Sequence, residues 1–289
     1  MQQTFDPPRL DIAAPVVGVQ IGWRSKLVIA IGSIVALGIF AWPFVLPADA
    51  MSGEHAAEAP YLLTLLLPVI VFLVLAQLGE GGMDAKALAV LGVLSAINAA
   101  LRPTLGAGTA GIESVFFLLV LAGRVFGPGF GFLLGCTSLF ASALLTAGVG
   151  PWLPFQMICA AWIGLGAGLL PKKVRGRAEL AMLIGYGILS AYAYGFMMNL
   201  WFWPFIRDIS VQGYGGVAGG LDYVPGAPWP ENLWRFTVFT LVTSTGGWDT
   251  GRAITNTVAI AIVGRPTLTV LRRAVTMGRV EPDRGRLAG

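Results

Sequence analysis

Long apolar runs dominate the chain, at 27–46, 61–79, 87–101, 112–125, 129–149, 153–170, 179–203 and 247–264. A helix of about 20 residues crosses the roughly 30 Å hydrocarbon layer of a bilayer. In that layer every backbone N–H and C=O must find a partner within the protein, which for a single segment means an α-helix. The runs therefore predict an all-α integral membrane protein of about eight spans. Charged residues make up only 12% of the chain, against about 25% in soluble domains. That shortage excludes an ordinary soluble globular protein.

Charge placement sets an orientation. Arg24, Lys26, Lys86, Arg124, Lys172, Lys173, Arg175, Arg177, Arg265, Arg272, Arg273 and Arg279 fall on one side of the eight-span pattern, and only Arg102, Arg207 and Arg235 on the other. The positive-inside rule puts the richer side in the cytoplasm, so both termini are expected inside a cell membrane. The loop 47–60 carries Asp49, Glu54, His55 and Glu58 without Lys or Arg, as an outer loop should. The first twenty residues lack the basic start, apolar run and cleavage site of a signal peptide, so the N-terminus is expected to be retained. Topology accounts for the net charge of +4 better than a nucleic-acid stripe does.

The chain divides into a cytoplasmic segment 1–26, an accessory hairpin 27–83, a six-helix core 84–273 and a tail 274–289, with the connector Gly79-Glu-Gly-Gly82 separating hairpin from core. Within the core, 204–246 reads as a long outer loop rich in glycine and proline. Its stretch Glu231–Val242 is expected to form an interfacial helix, either an ordered lid or a membrane-surface anchor.

Small residues four apart let helix backbones approach closely. They recur at Gly92, Ala96 and Ala100, at Gly127, Gly131 and Gly135, and at Gly164 and Gly168. Cys136 and Cys159 lie inside apolar runs and suggest neither a disulfide nor a metal site. Gly127-Pro-Gly-Phe-Gly131 is not followed by Gly-Lys-Ser/Thr, and no Walker A sequence occurs. ATP, if it drives this protein, is used by another subunit, and no cofactor is expected on this chain.

Ionisable groups within spans are costly and tend to mark function. Arg102, Glu113, Asp249 and Arg252 all fall near the outer ends of their runs, which favours an outward-facing site over a proton path. Asp249, Arg252 and Asn256 are spaced three and four apart, on one helical face, where Asp249 and Arg252 can pair. Asn98, Gln156 and Asn199 add neutral hydrogen-bonding groups. Trp152, Phe155, Trp201 and Trp203 sit at outer ends, as an interfacial belt or as platforms for a ring-bearing ligand. The single histidine, His55, has no cysteine or second histidine near it in sequence, and Glu80 and Asp84 are not placed as an acid–base pair. Catalysis is therefore poorly supported.

These residues resemble those of a known family. Ala85 to Pro171 looks like the membrane-embedded substrate-binding (S) component of energy-coupling factor (ECF) vitamin transporters. The matching features are Gly92–Ala96–Ala100 in the first core helix, the Pro/Gly loop 103–111, Phe126-Gly-Pro-Gly-Phe-Gly131, and Gly148-Val-Gly-Pro-Trp-Leu-Pro-Phe-Gln156. The last segment, from Asp249 through Arg252 and Asn256 to Gly264-Arg-Pro266, is similar too, so the resemblance covers roughly 84–273. It implies a six-helix core that binds a vitamin in an outward-facing cavity and associates with a transmembrane coupling subunit and two ATPases. It further implies that the whole component rotates in the membrane to deliver its ligand. Gly92, Ala96 and Ala100 would contact the coupling subunit, although the family's alanine spacing begins here with glycine. The ligand cavity would include Arg102, Gly106, Gly108, Trp152, Gln156, Asn199, Trp201, Asp249 and Arg252. The motif-rich middle most resembles members associated with cobalamin, which makes a corrinoid the expected ligand. Two readings of the residues compete with import: an ion-driven secondary transporter using Asp249 and Glu113, and a membrane enzyme acting on lipid through Asp249 and Arg252.

Overall fold

A computed structural model describes residues 22–45, 65–69, 71–72, 75–76, 85–104, 111–206 and 220–277. The described residues form helices joined by turns, with no strand among them. In chain order these are α1 (Trp23–Phe40), α2 (Trp42–Val45), α3 (Ala85–Thr104), α4 (Val115–Phe126), α5 (Pro128–Leu145), α6 (Leu153–Leu169), α7 (Gly176–Phe202), a 3-10 turn (Trp203–Phe205), α8 (Trp229–Thr240), a π-helical stretch (Leu241–Asp249) and α9 (Thr250–Met277). The chain is thus an all-α membrane protein. By length and composition, five helical stretches suffice to cross a membrane: Trp23–Phe40, Lys86–Pro103, Pro128–Leu145, Gly176–Phe205 and Trp229–Val275.

Two of the eight expected spans are shorter than a bilayer. Helix α4 has 12 residues and α6 has 17, or about 18 and 26 Å at 1.5 Å per residue. Both are tolerated because protein, not lipid, surrounds them: ten of the twelve α4 residues are buried. Helix α4 packs against α5, α6 and α9; α3 lies on α5, and α9 lies on α7. The accessory region packs on this core rather than standing apart. Phe40 meets Phe155 edge-on at 5.0 Å, and the Trp162 indole donates to Ser33 Oγ at 2.9 Å. Of the expected span 61–79, residues 65–69, 71–72 and 75–76 are helical, with Leu67 and Val71 buried. The connector 79–82 and both terminal segments, 1–21 and 278–289, lie outside the described residues.

The small-residue stripes have two different fates. At the α5–α6 crossing, a methyl group on Gly131 would collide with the Gly164 carbonyl, and one on Gly135 would meet the backbone at Ala160 and Ala161. Gly168 lies equally tight against Gly127 and Pro128. Gly127, at φ +96°, makes the turn between α4 and α5 in a conformation that side chains resist. These glycines are internal packing. Gly92, Ala96 and Ala100 are exposed instead, and a methyl group on Gly92 would meet nothing.

Helix α4 ends in a charge clasp. Arg124 Nε donates to Glu179 Oε1 at 2.7 Å, and its Nη1 and Nη2 donate to the carbonyls of Leu170 and Val174 at 3.0 and 2.9 Å. Arg272 on α9 reaches the same Glu179 oxygen at 2.7 Å. Carbonyls after the last turn of α6, left without helical partners, are satisfied this way. Sequence reading assigned Arg124 and Arg272 only to a membrane side and did not foresee their shared acid.

The segment 204–246, read as a loop with a helix over Glu231–Val242, is more continuous than that reading. From Trp229 it is helical, and α8, the π stretch and α9 run on without a break through Gly246 and Gly247 to Met277. Hydroxyls hold this weak sequence in helix: Thr243 donates to the Phe239 carbonyl, Thr245 to Thr240 and Thr250 to Thr245. The last two reach back five residues, which matches the wider π turn. The last helix consequently begins well before 247 and ends beyond 264. Trp203 is neither belt nor ligand platform: it is fully buried, donates to the Leu221 carbonyl at 2.7 Å and packs on Phe44, Tyr223 and Phe236.

Gly164→Leu is expected to destabilise the protein by about 1–3 kcal/mol through overpacking. Gly92→Leu, at an open position, should stay within about 0.5 kcal/mol of the parent. Thermal unfolding in detergent checks the contrast; equal midpoints for the two variants would contradict it.

Candidate functional site

The other end of α4 holds the second charge cluster. Glu113 lies two residues before α4, and Ser114, at the helix cap, ties this corner to α3 by donating to the Leu101 carbonyl at 3.1 Å. Arg102, in the last turn of α3, donates Nε–H to Glu113 Oε1 at 3.2 Å. Arg252, in the first turn of α9, donates Nε–H to Glu113 Oε2 at 2.9 Å and Nη1–H to Asp249 Oδ1 at 2.8 Å. Asp249 Oδ2 accepts the Ser244 hydroxyl at 2.8 Å, and the Arg252 guanidinium lies 5.0 Å over the Tyr194 ring. Gln156 on α6 completes the group through a long 3.4 Å contact from Arg102 Nη2. Each carboxylate oxygen has a donor and each guanidinium has an acid, as groups so deeply placed require.

Local sequence makes this arrangement. The π turn brings Ser244 and Asp249, five apart, into hydrogen-bond contact. Gly195 on α7 leaves room for the acid, since a methyl group there would collide with the Asp249 carboxylate. Gly111, at φ +76°, lets the chain pass against the Trp248 carbonyl where a side chain would not fit.

Beside the cluster lies a cleft of about 280 Å³ between α7 and the π stretch. Its wall is mainly apolar, from Met198, Phe202, Ile206, Phe239 and Trp248, with Asn199, Thr243, Ser244 and Arg252 as polar groups. The Asn199 side chain has a buried Nδ2 without a hydrogen-bond partner. A mostly apolar hollow with a few convergent polar groups is the usual form of a small-molecule site.

The structure brings together Arg102, Gln156, Asp249 and Arg252, and sets Asn199 in the adjoining cleft wall. Trp201 lies tilted against Phe155 at 5.1 Å and stacks at 5.9 Å on Phe202, a lining residue, while its own Nε1 is buried without a partner. Trp152 belongs to neither cluster nor cleft: it is 41% exposed and donates to the Gly148 carbonyl at 3.2 Å. Gly106 and Gly108 lie outside the described residues. Asn256 is buried, its Nδ2 donating to the Arg252 carbonyl at 2.8 Å. Sequence reading noted Glu113 but did not pair it, and it missed Ser244, Tyr194 and Gly195. The aromatic at 194 and the glycine at 195, set in a helix with Asn199 one turn on, were the available signal. No group of three metal-ligating side chains occurs among the described residues.

Arg252→Ala is expected to destabilise the protein by about 3–5 kcal/mol, because Glu113 and Asp249 both lose a buried partner. Gly195→Ala should also lower the unfolding midpoint, by displacing Asp249. An Arg252→Ala midpoint in detergent equal to the parent's would show that the cluster does not hold this end of the bundle together.

No curated protein and no solved structure matches the chain. A family model described as ECF transporter, substrate-specific component, matches residues 86–246. That stretch runs from α3 through α7 into the π turn, so it holds Arg102, Glu113, Gln156 and Asn199 and stops just short of Asp249 and Arg252. Covering more than half of the 289 residues, the match establishes the family: the chain belongs to the substrate-specific components of ECF transporters.

Proposed function

We infer that this chain captures a vitamin or related micronutrient in the cleft beside Arg252 and hands it inward as part of an ECF importer. Its family supports the capture role, a transport component rather than an enzyme, and association with a coupling subunit and ATPases. The observation that carries the placement is the cleft, whose mainly apolar wall adjoins the Arg102–Glu113–Arg252–Asp249 cluster. The cluster fixes the wall, and the cleft supplies apolar area with a few polar contacts.

In this reading the cleft opens to the outside, both termini are cytoplasmic and the membrane is the cell membrane, as the distribution of Lys and Arg supports. The two arginine groups that the charge pattern assigns to opposite sides do stand at opposite ends of α4. Gly92, Ala96 and Ala100 form the contact with the coupling subunit. Small residues in a membrane helix generally serve close helix approach, yet these three are exposed, and among the described residues nothing lies within 4 Å of a methyl group added at Gly92.

A corrinoid is the proposed ligand, on the resemblance of the 126–156 motifs to cobalamin-associated members. A cleft of about 280 Å³ falls just below the roughly 300–1,000 Å³ usual for ligand sites. It suits an amide-bearing rim of a macrocycle rather than the whole ring.

Titration of detergent-purified protein with cyanocobalamin, riboflavin and biotin by calorimetry tests the capture role. Corrinoid binding near nanomolar, about −12 kcal/mol, is the expected result; binding of another vitamin alone would replace the corrinoid, and no binding would oppose capture. Ala96→Leu is expected to abolish co-purification with the coupling subunit while ligand affinity stays within about threefold. Unchanged co-purification would remove the small-residue face from that role.

A further inference from the structure

An arginine in the wall of a ligand cleft ordinarily suggests a carboxylate or phosphate on the ligand. The bonding of Arg252 argues otherwise. Its Nε–H is on Glu113 and its Nη1–H on Asp249, with the guanidinium lying over Tyr194. Each of the two forks a guanidinium can offer an anion, Nε with Nη2 and Nη1 with Nη2, thus has one arm already on a resident acid. The neighbouring Arg102 is on Glu113 as well. Glu113 uses both oxygens on the two arginines, and Asp249 uses one on Arg252 and one on Ser244. Two guanidiniums and two carboxylates sum to zero. Among the described residues no other charged side chain lines the cleft; of the neighbouring stretches outside them, 105–110 contains no charged residue and 207–219 contains one of each sign, Arg207 and Asp208. A ligand carboxylate entering this mainly apolar, charge-balanced space would lose its hydration without meeting an unpaired cation. An uncharged acceptor meets what is on offer: the three remaining Arg252 N–H groups, whose charge is already balanced, and the Asn199 amide, whose Nδ2 is without a partner.

We propose that Glu113 and Asp249 are specificity-determining residues that make the cleft select uncharged, amide- or carbonyl-bearing ligand groups and reject carboxylates. This rests on the capture reading and names the chemical class of what is captured. Glu113 and Asp249 act by holding the arginines neutralised, so removing either negative charge leaves the site with a net charge of +1 and an open demand for an anion.

Matched pairs that differ in one charge test this: cyanocobalamin against its monocarboxylic acid derivatives, biotinamide against biotin, panthenol against pantothenate, and nicotinamide against nicotinate. Each is titrated into purified full-length protein by calorimetry. For whichever pair binds, the neutral member is expected at least about tenfold tighter. In Asp249→Asn and Glu113→Gln, which keep side-chain shape and hydrogen-bonding capacity, the preference is expected to shrink at least tenfold or invert. A parent protein that binds the acid as tightly as its neutral partner overturns the proposal while leaving capture intact. Should the variants fail to fold, the parent ratio decides alone. If no member of any pair binds, the capture reading itself falls, and this inference with it.

Discussion

A carboxylate placed between two arginines in a setting nearly free of water constrains everything around it. Glu113 is 6% exposed and serves Arg102 with one oxygen and Arg252 with the other. Charges so placed are tolerated only when fully partnered, so α3, the start of α4 and the start of α9 must meet there. Arg252 then calls for a second acid, which the π turn provides by setting Asp249 against Ser244 and the bare backbone of Gly195. The cleft between α7 and that turn follows from the same geometry. The ion cluster and the cleft wall are therefore one construction: the charges are spent largely on one another and hold the wall in place.

Backbone proximity is the second constraint, and it separates glycines that look alike in sequence. Gly131, Gly135, Gly164 and Gly168 let α5 and α6 cross so closely that carbonyls occupy the space of missing side chains. With α4 buried against this pair, short helices survive inside a bundle whose longer members face outward. Helix α3 presents its small residues to the exterior while Ser95 and Asn98 bond inward to Thr137 at 2.7 Å and Ser138 at 3.0 Å. One helix thus has a polar seam toward its own bundle, a smooth exposed face, and Arg102 at the end that meets the cluster.

The helical class and most helix positions were legible because apolar length is a direct consequence of bilayer thickness. The Asp249–Arg252 pair was legible for a similar reason, as three-residue spacing places both on one helical face. Glu113's partners were not, since Arg252 lies 139 residues away and no periodicity connects them. The short stretch 243–246, between the helix expected at 231–242 and the run from 247, read as loop because local propensity opposes helix there; hydroxyl-to-carbonyl bonds override it. A tryptophan at a helix end, such as Trp203, reads as an interfacial belt residue or as a platform for a ligand ring. Only the chain folding back through Leu221 and Tyr223 reveals it as buried. The stripes at 92–100 and 127–135 could not be told apart by spacing, which records what a helix permits and not what approaches it.

The central claim is that capture occurs in the cleft between α7 and the π turn. A structure of the purified protein determined with bound cyanocobalamin tests it most directly. Ligand density against Asn199, Phe239 and Trp248, with the Glu113–Arg252–Asp249 bonds intact, is the result expected. Density lodged elsewhere on the bundle, or a ligand carboxylate or phosphate displacing Asp249 from Arg252, would contradict it.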